Sequence, residues 1–175
     1  MPREKLRAVA AAEIALLLRS LDQAFDARSW HGTNLRGSLR GLTLDELAWR
    51  PQPGRHNVWE LALHCAYWKY AIRRQLTGEK RGSFPLRGSN FFARPLGAPT
   101  LAAWREDLAL LEATHLALRG VAAALAPGRL DRPPRGGEVS CRDLLLGIAA
   151  HDLYHAGQIQ LLKRLARARP SRGRS

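Results

Sequence analysis

The sequence predicts an all-α protein, a four-helix bundle with long connecting loops. Three observations carry this: four stretches repeat apolar residues at three- and four-residue steps, Gly- and Pro-rich segments separate them, and no stretch alternates convincingly as a strand. A length of 175 residues fits one domain with a sizeable core, taken as residues 1–169, followed by a basic tail over 170–175 expected to be disordered.

The first helix spans residues 4 to 29. Leu6, Val9, Ile14, Leu17, Leu18, Leu21 and Phe25 form its apolar face, and Glu4, Arg7, Glu13, Arg19, Asp22 and Asp26 lie opposite. A long connection from Trp30 to His56 follows, rich in Gly and Pro; Thr43 and Glu46 are spaced as a capping box for a short helical piece within it. Connections of this length usually line a site or cross a bundle. His31 lies here, either a substrate contact or a plain exposed loop residue.

Asn57 and Glu60 are spaced to cap the second helix, whose inward seam reads Leu61, His64, Trp68 and then Ala71 or Ile72. Gly78 ends it. Residues 79 to 99 hold too much Gly and Pro for a helix and too many aromatics for plain exposure, which predicts a loop folded over one end of the bundle as a pocket wall or an interface. Thr100 caps the third helix, with Trp104, Leu108, Leu111, His115, Leu118, Ala122 and Leu125 as its seam. Ser140 and Asp143 cap the fourth, whose seam reads Cys141, Leu144, Ile148, His151, His155, Gln158, Leu162 and Leu165.

Three polar residues interrupt that last seam. An imidazole or amide buried without a partner costs on the order of 1–3 kcal/mol, so the interruption needs a reason. A lone histidine would be read as a hydrogen-bonded core residue. Two histidines four apart stand one turn above each other, and both can reach one ion at about 2.0–2.1 Å. His64 points into the same core from the second helix, and three imidazoles leave at least one coordination position for water or substrate. His64, His151 and His155 are therefore the candidate ligands of one divalent metal ion.

A di-iron bundle is the competing metal reading. It would use Glu112 with His115, Asp152 with His155, and Glu60 and Glu13. It leaves His64 and His151 unused and needs an Asp where the longer Glu is usual, so the single ion ranks first. His115 is the applicant for a fourth ligand, which would close the site and make the metal structural. Around the site, Gln158 could bond a ligand or only fill the seam, and Glu60 could orient His64 or serve only as a cap. Tyr154 could face a pocket mouth or pack on a neighbouring helix. Cys141 lies at a helix start that favours a thiolate, though a small buried residue is the simpler reading.

Composition narrows the partners. The net charge of +13 invites nucleic-acid binding, but the cations are 24 Arg against 4 Lys, and beside so much alanine this reads as the codon bias of a GC-rich genome. The densest run is Lys163, Arg164, Arg167, Arg169, Arg172 and Arg174, with no acidic residue from 163 onward. A solvated charge run is the commoner explanation. No stretch approaches the roughly 20 apolar residues of a membrane span, and two cysteines, Cys65 and Cys141, make no disulfide framework. The expectation is a cytoplasmic protein without a membrane partner.

His64 within Glu60-Leu61-Ala62-Leu63-His64-Cys65-Ala66, together with the His-x-x-x-His-x-x-Gln segment from His151 to Gln158, resembles the DinB/YfiT-like superfamily of metalloenzymes over residues 4 to 167. The resemblance implies a four-helix bundle holding one divalent ion, often in a homodimer. Zinc or nickel are the leading ions, with iron or manganese as alternatives. The metal residues carry over as His64, His151 and His155. Some relatives are S-transferases or isomerases that use a low-molecular-weight thiol, bacillithiol or mycothiol; nothing in this sequence marks a thiol site, and no catalytic residue is assigned. The expected function is thus a metal-dependent enzyme acting on a small molecule, of S-transferase or hydrolase type, with a metal-activated thiolate or water. The alternative is a non-enzymatic bundle, its metal structural or absent, whose basic surface binds nucleic acid or a protein partner.

Overall fold

Apolar residues at helical spacing, closed by side-chain caps, set the elements of this computed structural model, which describes residues 3–169. α1 (Arg3–Phe25) buries Leu17, Leu21, Ala24 and Phe25 near its C-terminal end. Two short helices break the connection that follows, α2 (Leu35–Ser38) and α3 (Leu44–Ala48). The Thr43 hydroxyl accepts from the Glu46 N–H at 3.2 Å and the Glu46 carboxylate accepts from the Thr43 N–H at 2.8 Å, completing the capping box. α2 was not anticipated; Asn34 caps it by accepting from the Gly37 N–H.

α4 (Val58–Thr77) is the central helix, with every residue from Val58 to Ala66 buried. Asn57 caps its start, and Gly78 ends it at φ +75°, a left-handed conformation that glycine adopts without strain. α5 (Leu101–Ala123) starts at Thr100, and α6 (Cys141–Arg167) starts at Ser140. A short 3-10 turn, Pro127–Arg129, lies between them. The all-α class holds: there are six helices and no strand among the described residues, four of the helices long and two short. The basic tail over 170–175 lies outside the described residues.

Packing fixes the order of the long helices around the bundle. α4 packs on α5 and α6, and α1 packs on the same two, giving a ring α1–α5–α4–α6. The apolar core falls into two parts. One gathers Trp59, Leu63, Leu111 and Ile159 with Leu35 and Leu47 of the short helices; the other gathers Leu17, Leu21, Ile72, Leu118 and Leu145. Between them lies a buried polar layer of His64 and Lys69 on α4, His115 on α5, and Asp152 and His155 on α6.

The seam of α6 departs from expectation. Its buried stripe is Cys141, Leu145, Ile148, Asp152, His155 and Ile159, while Leu144, His151, Gln158 and Leu162 are half-buried and Leu165 is exposed. The helix is rotated so that Asp152 turns inward to Lys69, and His151 lies at the stripe's edge. Both members of that pair are fully buried.

Candidate metal centre

His64, in the second turn of α4, and His151 and His155, one turn apart on the neighbouring α6, converge on one point. The Nε2 of His151 lies 3.1 Å from the Nε2 of His64 and 3.1 Å from that of His155. Two nitrogens bound to one ion at about 2.0–2.1 Å lie about 2.9–3.4 Å apart across octahedral to tetrahedral angles, so this spacing suits shared coordination.

The remaining ring nitrogens fix which atoms are lone pairs. The Nδ1 of His64 donates to the Asn90 carbonyl at 2.9 Å, and the Nδ1 of His155 donates to the Gln158 Oε1 at 2.7 Å. With Nδ1 protonated, each neutral ring presents a bare Nε2 lone pair to the centre. His151 can supply a proton to one such neighbour at most, which leaves the other contact lone pair against lone pair. A cation at the centre relieves this. Burial keeps the rings neutral and ready to ligate: it lowers the His64 pKa to about 4 and that of His151 to about 3, and lowers that of His155 as well.

The connection between α4 and α5 supplies the outer support. Asn90 sits in the left-handed region at φ +70°, tolerated better by Asn than by most residues, and its side-chain oxygen accepts from the Trp68 Nε1 at 2.9 Å while its carbonyl holds His64. The Phe91 ring stacks between His64 at 4.1 Å and His56 at 3.6 Å. Arg94 anchors the far side of this loop: its Nε donates to Asp107 on α5 at 2.6 Å, and its carbonyl accepts from the Asn57 side chain at 2.7 Å.

The sequence profile of the DinB superfamily matches residues 27–159, three quarters of the chain and all three histidines. The chain belongs to the DinB superfamily. No curated protein and no solved structure matches it.

In this DinB chain the other candidates fall away from the cluster. His115 stacks on Phe25 at 3.8 Å, with its Nε2 3.9 Å from Asp22, and so offers no fourth ligand. The carboxylates of a di-iron site are engaged elsewhere: Glu112 with Arg36, Glu13 with Arg142, Glu60 with Arg50, and Asp152 with Lys69. A second group, Cys65 with His151 and Asp152, is a poorer donor set. Burial pushes the Cys65 thiol well above its ordinary value, and the thiolate is the ligating form.

Glu60 and Gln158 act differently from the roles expected of them, whereas Tyr154, Cys141 and His31 each take one of the expected alternatives. Glu60 orients no metal-facing ring; it accepts from Arg50 at 2.7 Å, from the Arg94 N–H at 3.2 Å, and pairs with His56 at 3.0 Å. Burial raises its pKa and these partners outweigh that, leaving it lowered. Gln158 does more than fill the seam: its amide oxygen orients His155, and the residue lines the cleft beside it. Tyr154 is exposed at the mouth of a cleft, with its ring edge-on to His155 at 5.0 Å, and Cys141 is a buried core residue. His31 is exposed.

That cleft, of about 520 Å³, reaches the cluster at His155 and runs between α6 (Tyr154, Gln158, Leu161, Leu162) and the segment Pro51–His56, with Phe91 beside it. The expectation that the aromatic loop over 79–99 forms a pocket wall holds for Phe91, which lines the cleft. The contacts of Asn90, Phe91 and His56 with the histidine cluster were not foreseen, because the left-handed tolerance of Asn in a Gly- and Ser-rich loop says nothing about which ring that loop will meet.

Proposed function

We propose that this protein is a metal-dependent enzyme in which His64, His151 and His155 hold one divalent ion through Nε2, with a small-molecule substrate in the adjoining cleft. The observation that carries the reading is the convergence of three Nε2 atoms, two of them held as lone pairs by Asn90 and Gln158, beside a cleft of substrate size. When bound, the ion supplies Lewis acidity, which lowers the pKa of a ligating water or thiol. The chain's own residues do the rest. Phe91, Leu61 and Leu162 give the cleft an apolar wall, and Leu161 and Tyr154 frame its mouth. The reaction class is thiol-dependent S-transfer or hydrolysis, and imidazole donors suit zinc or nickel first, then iron or manganese.

A structural, closed site needed His115 as its fourth ligand, and that residue is held at Phe25 and Asp22. Part of the basic surface is engaged within the fold: Arg36, Arg50, Arg73, Arg94, Arg119, Arg142 and Arg167 each pair with an acidic side chain. A homodimer belongs to the reading, supported by Leu146, Tyr154, Leu161 and Leu165, which are exposed along one face of α6. So does a cytoplasmic location, supported by two free, buried cysteines and by the absence, among the described residues, of any helix long and apolar enough to cross a membrane.

Elemental analysis of untagged protein tests the metal. The expected result is about one equivalent per chain, lost in His64→Ala and in His151→Ala. A folded native chain that takes up no metal after incubation with zinc or nickel would overturn it. For the reaction, transfer of a small thiol to an aromatic chloride should disappear on chelation and return with the ion.

A further inference from the structure

One cation at the metal cleft has nothing to do inside the fold. Arg55 closes a tight turn whose backbone is held from both sides: its N–H donates to the Gln52 carbonyl at 3.2 Å, and its own carbonyl accepts from the Arg50 Nη1 at 2.6 Å. Gly54 makes the turn possible at φ +76°. Arg50 is fixed in turn by the buried Glu60 carboxylate. The Arg55 guanidinium is exposed and enters no ion pair or hydrogen bond among the described residues, in contrast to the neighbouring Arg50 and Arg94, each held by a carboxylate. The cleft it lines carries no carboxylate; its other walls are apolar side chains, the amides of Gln52 and Gln158, the Tyr154 phenol and the imidazoles of His56 and His155. An unpaired planar cation, carried on a fixed turn at the edge of a cleft without carboxylates, is a receptor for a carboxylate, which it can grip with two parallel hydrogen bonds.

We infer that the ligand of this cleft is a small amphiphilic carboxylate whose anionic group pairs with Arg55 while its apolar body lies on Pro51, Leu161 and Leu162 and its far end meets His155. This rests on the proposed reading of the cleft as the reaction site and names its substrate class. The carboxylate is the specificity handle, and the end at His155 is where chemistry would take place.

The test uses hexanoate and 1-hexanol, of equal chain length, titrated into the full-length protein as purified and followed by ligand-observed NMR. The native chain should bind hexanoate at least about tenfold more tightly than 1-hexanol. Arg55→Gln should bring the ratio close to one, and Arg55→Lys should restore part of it. Equal binding of the two probes, no measurable hexanoate binding, or a preference that survives in Arg55→Gln would each overturn the inference. Metal content measured on the same samples keeps the two readings apart. A metal-loaded chain without the preference sinks the Arg55 inference alone, whereas an Arg55-dependent preference in a chain that takes up no metal sinks the metal reading and leaves the carboxylate site standing.

Discussion

Gln158 and His115 show how much a single partner decides for a buried imidazole. Gln158 holds the Nδ1 proton of His155 and so directs the Nε2 lone pair to the centre of the cluster. Gln158→Leu should therefore weaken zinc binding by about 10–100-fold, as loss of such an outer partner commonly does, while Gln158→Glu retains it; competition with a chromogenic chelator measures both. His115 has no such partner. Its Nδ1 is buried without a hydrogen bond, and desolvation, followed by the nearby Lys69 ammonium, lowers its pKa to about 3. The folded protein thus keeps it neutral while the unfolded chain binds a proton below about pH 6.5. Its contribution is complete above pH 6.5 and is lost as the pH falls toward 3, at up to ~1.4 kcal/mol per pH unit. Denaturant unfolding at pH 7 and pH 5 should show a steeper loss for the native chain than for His115→Leu, by close to one proton.

At the scale of the helices, the most consequential contact is the pair of Lys69 on α4 with Asp152 on α6, both fully buried and joined by a salt bridge. Lys69→Met alone strands a buried carboxylate and should cost about 3–5 kcal/mol, whereas Lys69→Met with Asp152→Leu should recover most of that loss, because two well-packed apolar groups need no partner. Chemical denaturation of both variants and the native chain decides it. The same pair explains where sequence reading stopped. The helices themselves were legible: apolar spacing located α1, α4, α5 and α6, and Thr43 with Glu46 announced α3 through its capping box. The three histidines were legible too, because polar residues in an apolar seam need a reason. The rotation of α6 was not, since it depends on a charge on another helix 83 residues away, and a seam containing Asp152 looks wrong until Lys69 is opposite it. Asn90 was invisible for a related reason. Its contribution to His64 is a backbone carbonyl, which no side-chain pattern encodes.

Across the whole molecule, the ring α1–α5–α4–α6 makes α4 and α6 neighbours and divides the apolar core at the level of the histidines. That level holds Lys69, Asp152, His115 and the three clustered imidazoles, and the His115 Nδ1, His151 Nδ1 and Asp152 Oδ1 have no partner within it. An ion bound to His64 on one helix and to His151 and His155 on the next would tie α4 to α6 at that level. It also binds the folded chain only, because the unfolded chain does not hold the three rings together. The linkage is then quantitative: free metal at 100 times its dissociation constant adds about 2.7 kcal/mol, which for a chain of this length raises the melting temperature by about 5–10 °C. Scanning calorimetry of the native chain with zinc and after chelation should show that shift, and His64→Ala should melt at one temperature under both conditions. A shift that persisted in His64→Ala would mean the ion binds α6 alone or elsewhere, and the clamp between α4 and α6 would have to be abandoned.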